Sequence, residues 1–163
     1  MKKLLNKGTI LGVVIGLLVG VLLTGLVVFK MAPGLMMLED VSKYGFEETV
    51  DKFEKEVTDA GWKISTVHDM QKTLQGFGHE VGEIKIYELC SSKYSAEILK
   101  LDDERIVSPM MPCRVAIYTK SDGNTYIGRM NSPLVSKFFG GVIDEIMQLA
   151  AGDTEEMLKV LID

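Results

Sequence analysis

The chemistry-bearing spacings that most often betray a function are missing from this chain. It contains no CxxC, no HxxxH and no CxxCH, so the spacing signal for a zinc site or an attached haem is weak. There is no GxSxG and no conventional triad, and no acid/base constellation is complete. This ranks a non-catalytic role above an enzyme. Gly76 and Gly78 in QGFGHEVG are not followed by Lys-Ser/Thr and do not sit between a strand and a helix, which excludes a phosphate loop. Basic clusters are absent too. Four of the 18 basic residues and none of the 23 acidic ones fall in the first thirty positions. The remainder carries 14 basic against 23 acidic side chains, a net of −9. Such a domain repels phosphate backbones, and nucleic acid is excluded as a partner.

What the first thirty residues hold instead is one uninterrupted apolar run. Gly8 to Phe29 has no charge and, as a helix, spans roughly 33 Å, about one hydrocarbon core. Lys2, Lys3 and Lys7 precede it and Lys30 follows. The positive-inside bias places the N-terminus in the cytoplasm and the rest of the chain outside, as a single-pass membrane protein. A cleaved signal peptide is the competing reading. Its apolar region is normally shorter, and Ala32-Pro33-Gly34 is a poor cleavage site. Within the run, Gly8, Gly12, Gly16, Gly20 and Thr24 recur every fourth residue. They form a slanting groove that admits a second helix, so a homodimer is expected against the plain alternative that glycine is common in membrane helices.

The expected organisation is therefore a stub and transmembrane helix over 1–30, a linker over 31–37 (MAPGLMM, broken at Pro33-Gly34), and an α/β domain over 38–163. A first strand is expected over Leu38–Tyr44. Phe46, Val50, Phe53 and Val57 recur at helical spacing up to a glycine stop at Gly61. Trp62–His68 alternates as a strand, Asp69 caps a short helix, and Val81–Leu89 reads as the next strand. A helix starts at Ser91 or Ser92, and a helical turn follows Asp102. Asp122-Gly123 joins Cys113–Lys120 to Thr125–Met130 as a hairpin. Ser132-Pro133 opens a helix carrying Leu134, Phe138, Val142, Ile146 and Leu149 and ending at Gly152, after which a last helix covers Thr154–Leu161. The order implies an α+β fold, a two-layer α/β sandwich with a mainly antiparallel sheet.

Four residues stand out as candidate chemistry: Cys90, Cys113, His68 and Arg114. Cys90 ends one strand and Cys113 begins another, just after Pro112. They read as a disulfide, as a reactive or ligand thiol with Arg114 lowering the pKa of Cys113, as metal or haem ligands with a histidine, or as small buried apolar residues. His68-Asp69 is an adjacent pair whose side chains point to opposite faces of a strand. His79 lies in a loop, and Met110-Met111 could be soft ligands, although methionine more often fills gaps in cores.

Three stretches together resemble the family catalogued as domain of unknown function 302: TVDKFEKEVTDAGWKISTVHDMQKTL, YELCSSKYSAEILK and MMPCRVAIYTKSDGNTYIGRMN, over about residues 40–150. Pro112, Cys113 and Val115 match its Pro-Cys motif. Cys90 matches an earlier cysteine, with Ser91-Ser92 in place of the usual Asn-Pro. The resemblance implies a TATA-box-binding-protein-like sheet, often as a homodimer, and a link to sulfur or redox proteins. Two functions follow as expectations. One is a membrane-anchored binding or redox module centred on Cys113, with a small-molecule or cofactor ligand of unspecified identity. The other is a non-catalytic homodimeric sensor or interaction module.

Overall fold

The apolar run folds as one helix, α1 (Lys7–Met36), in a computed structural model that describes residues 7–162. Lys2 and Lys3 lie outside the described residues. By length and composition α1 is able to cross a membrane, and a signal sequence passes the same test. Gly8, Gly12, Gly16 and Gly20 each have open space where a Cβ would stand. Residues 31–37, expected as a linker, are helical as far as Met36 with Pro33 inside the helix. A proline forfeits one ladder hydrogen bond and bends a helix without having to end it.

The chain divides into two compact units at Leu35/Met36, and the second is a two-layer α/β sandwich with its own core. Five strands, β1 (Met37–Val41), β2 (Lys63–Asp69), β3 (Ile84–Cys90), β4 (Cys113–Thr119) and β5 (Thr125–Met130), form one open sheet in the order β1-β5-β4-β3-β2. Every neighbouring pair is antiparallel. Helix α2 (Phe46–Asp59) lays Phe46, Val50, Phe53 and Val57 on one sheet face, against Tyr87, Leu89, Val115, Ile117 and Ile127. The ring of Phe53 meets that of Tyr87 edge-on at 5.1 Å. Short helices α3 (Met70–Gln75) and α4 (Ser92–Leu99) follow β2 and β3, and α3 is capped by Asp69, whose carboxylate accepts from the Lys72 amide at 2.8 Å. In the β4–β5 turn Gly123 has φ +82°, a left-handed value that favours glycine.

The C-terminal third departs from the expected pattern. The helix opened at Ser132-Pro133 is only α5 (Ser132–Val135), capped by Asn131, and a turn of 3-10 helix over Ser136–Phe138 follows. Gly140 and Gly141 then take φ +66° and +52°, left-handed values that a right-handed helix cannot continue through. The long helix α6 (Gly141–Leu158) begins there and runs straight through Gly152, where a stop was expected. The burial of Ala150, Ala151, Thr154, Met157 and Leu158 on both sides of Gly152 outweighs its poor helix propensity of about 1 kcal/mol. Phe138 and Leu149, expected on one continuous helix, fall on different elements and are both exposed.

Candidate functional site

Antiparallel order brings five strand termini to one end of the sheet: the starts of β1, β2 and β4 and the ends of β3 and β5. A cavity of about 510 Å³ opens at this end. Leu89, Cys113 and Val115 belong to its sheet wall, Tyr94, Ser95 and Ile98 to its α4 wall, and Ile146, Met147 and Ala150 to its α6 wall. Pro109–Pro112 close one side, with a cis peptide between Met111 and Pro112. The lining is mainly apolar by residue type.

Cys113 faces this cavity on the helix-covered side of the sheet and packs against the main core. Burial, with Cys90 nearby, pushes its thiol pKa above the ordinary value. Both cysteines are unbridged, and the Cys90 thiol pairs with the Ser95 hydroxyl at 3.6 Å. Arg114, next in sequence, points to the opposite face. Its Nη2 donates to Glu88 Oε1 at 2.7 Å, and His68 Nε2 lies 3.2 Å from the same oxygen. Hydrogen bonds from His68 and then Arg114 hold the Glu88 carboxyl below its usual range. The four sequence candidates therefore separate into two groups. Cys113 and Cys90 stand at the cavity end of β3 and β4, while His68 and Arg114 meet through Glu88 on the open face. Among the described residues no group of three or more His, Cys, Asp or Glu is arranged to hold a metal ion.

A third cluster escaped the sequence reading. Arg129 borders the cavity and is 6% exposed. It donates through Nε and Nη2 to the two Glu155 carboxylate oxygens at 2.6 and 2.5 Å, and through Nη1 to Asp40 at 2.6 Å. Burial opposes its charge, but hydrogen bonds to Glu155 and Asp40 prevail and keep its pKa above the ordinary value. The signal was present: Arg129 shares strand parity with Ile127 and Thr125, so the alternation that buries Ile127 buries this cation as well. Tyr94 is tied in a similar way, its hydroxyl donating to Asp153 on α6 at 2.9 Å.

The family model for "Domain of unknown function DUF302" matches residues 39–163. The chain belongs to the DUF302 family. Its DUF302 domain resembles the crystal structure of an uncharacterized conserved DUF302 protein from Bacillus stearothermophilus. The TM-score is 0.69 and the identity 19%, with 77% of this chain and 97% of that one covered. At that identity the likeness establishes the fold alone. Among curated proteins none matches.

Proposed function

We propose that this DUF302 protein is a membrane-anchored, non-catalytic binding module whose cavity at Cys113 takes a small apolar molecule. The cavity carries the reading. Its volume is in the range of about 300–1,000 Å³ typical of small-molecule sites, and apolar side chains dominate its walls. The raised thiol pKa keeps Cys113 neutral at pH 7, which suits a soft, apolar contact better than nucleophilic or redox work. Helix α1 is the anchor, and the lysines before it favour a cytoplasmic N-terminus with the domain outside. Titration of residues 36–163 with 1-aminoanthracene tests the binding. The expected result is a saturable fluorescence gain that Ala150→Trp, which fills the cavity, reduces at least tenfold in affinity. Equal binding by the variant, or none by the parent, overturns the reading.

A second reading is supported by the open space beside Gly8, Gly12, Gly16 and Gly20, which lets two copies of α1 approach closely. On this reading the protein is a homodimeric interaction module. Gly12→Leu with Gly16→Leu is expected to abolish crosslinked dimers of the full chain in detergent micelles, and unchanged crosslinking refutes the pairing.

A further inference from the structure

The cavity opens at the end of the domain where the chain arrives from α1. Met37, the residue after α1, lines it and pairs across the sheet with Met130, which lines it too; strand parity puts this pair on the face opposite Cys113 and Arg129, so at this end the lining takes residues from both faces of the sheet. The Asn131 amide donates to the Met36 carbonyl at 2.7 Å. Only residues 31–36 separate Lys30, the charge that closes the apolar run, from Met37. Fully extended they reach roughly 20 Å, and as the helix they form, roughly 10 Å. Chain length alone therefore bounds how far Met37 can stand from the end of the apolar run.

The charges around the cavity are already answered. Arg129 and Glu155 neutralise one another with Asp40, and Arg114 is paired with Glu88. Ser95 is engaged with Cys90, and the Thr154 hydroxyl donates to the Ala150 carbonyl. No charge in this set is left over to recognise a phosphate or a carboxylate, and the hydroxyls of Ser91 and Ser132, which also line the cavity, are neutral, so the lining favours an apolar occupant. The segments that supply the lining also expose large apolar side chains. Ile106, in the 3-10 segment that ends at Met110, is 75% exposed. Phe138, shortly after Ser132, is 80% exposed, and Met37 is 56% exposed. Such side chains suit contact with lipid better than contact with water.

We infer that the cavity receives a hydrocarbon chain directly from the bilayer, entering at the Met37–Met130 end. The inference rests on the anchor and cavity readings given above and names their ligand class. It is tested on the full chain in phosphatidylcholine vesicles that include phosphatidylcholine bearing a diazirine at the acyl terminus. After illumination, labelled peptides are mapped by mass spectrometry. The expected labels fall on α1 and also on residues 109–113 and 146–151. Ala150→Trp, and independently the milder Met147→Trp, remove the second set and leave the first, with thermal melts confirming that each variant is folded. Labels on α1 alone overturn the inference while the anchor stands, and labels on neither overturn the anchor reading as well. If a water-soluble alkyl diazirine labels 109–113 and 146–151 but the vesicle-held lipid does not, the cavity is apolar but the bilayer is not its source, which also overturns the inference.

Discussion

Arg129 offers the most quantitative test of how the cavity is held together. Its guanidinium joins three elements: β5, which carries it, β1 through Asp40, and α6 through Glu155. Replacing it with Met keeps much of its volume and removes the charge, leaving two carboxylates facing an apolar side chain. Breaking a buried ion pair from one side costs about 3–5 kcal/mol. Asp40 and Glu155 are 42% and 40% exposed, so water can reach both once the cation is gone. The expected loss therefore lies at the lower end, about 3 kcal/mol. For a domain of this size that is a fall in Tm of roughly 10–15 °C. Urea titration of residues 36–163 followed by circular dichroism measures it. Adding Glu155→Leu to Arg129→Met is expected to restore at least about 1 kcal/mol, because an apolar pair can replace a buried ionic one. A loss below about 1 kcal/mol for Arg129→Met refutes the reasoning, since the cation would then not be what fastens α6 to the sheet. The same substitution is expected to weaken 1-aminoanthracene binding, because Glu155 and Thr154 border the cavity on α6.

Other perturbations follow from the same geometry. Native-state alkylation of Cys113 by iodoacetamide is expected to be slow at neutral pH and to rise only above the ordinary thiol range, whereas the denatured protein reacts at lower pH. Identical pH profiles in the two states refute the buried, neutral thiol. Because the folded pKa of Cys113 is raised, its contribution to stability is complete below the unfolded thiol pKa and declines as pH rises from there through the folded value. Cys113→Ser is expected to flatten that decline in alkaline urea titrations. Glu88 has the opposite sign. Its lowered pKa stabilises the fold above the usual carboxylate pKa and is lost as pH falls through the folded value, so Glu88→Gln is expected to reduce acid sensitivity between those limits. Gly140→Ala places a Cβ at φ +66° and is expected to destabilise the domain by about 1 kcal/mol, measured by thermal melting, even though nothing lies within 4 Å of the new atom.

Much of the fold was legible because its determinants are local. Asp122-Gly123 between two alternating runs specifies the β4–β5 hairpin without reference to the rest of the chain. The spacing of Phe46, Val50, Phe53 and Val57 does the same for α2. The corner at Gly140-Gly141 was not legible, because two helices interrupted by positive φ and one continuous helix share the same apolar spacing over Leu134–Leu149. Gly152 misled for the complementary reason: its neighbours' burial is a tertiary fact, and it outweighs a local propensity. The cavity was hidden because its walls come from positions as far apart as Met37 and Glu155. Of its wall residues, Cys113, Arg114 and the Met110-Met111 pair carried a chemical label in the sequence, and these lie together in one short stretch.

Strand parity explains why the four candidate residues do not form one site. Directly opposed residues in an antiparallel pair share a face, so Arg114 opposite Glu88 and Cys113 opposite Leu89 are committed to different sides of the sheet. Adjacency of Cys113 and Arg114 in sequence therefore guarantees their separation in the fold, and a guanidinium that would have activated the thiol instead serves the open face. The cysteine is left in an apolar wall, beside a cavity whose bordering charges are all spoken for. On the reading proposed above, a site built this way selects by shape and hydrophobicity, and with α1 as the anchor the bilayer is the source of molecules with that character, which turns an inert-looking thiol pocket into a specific expectation about lipid.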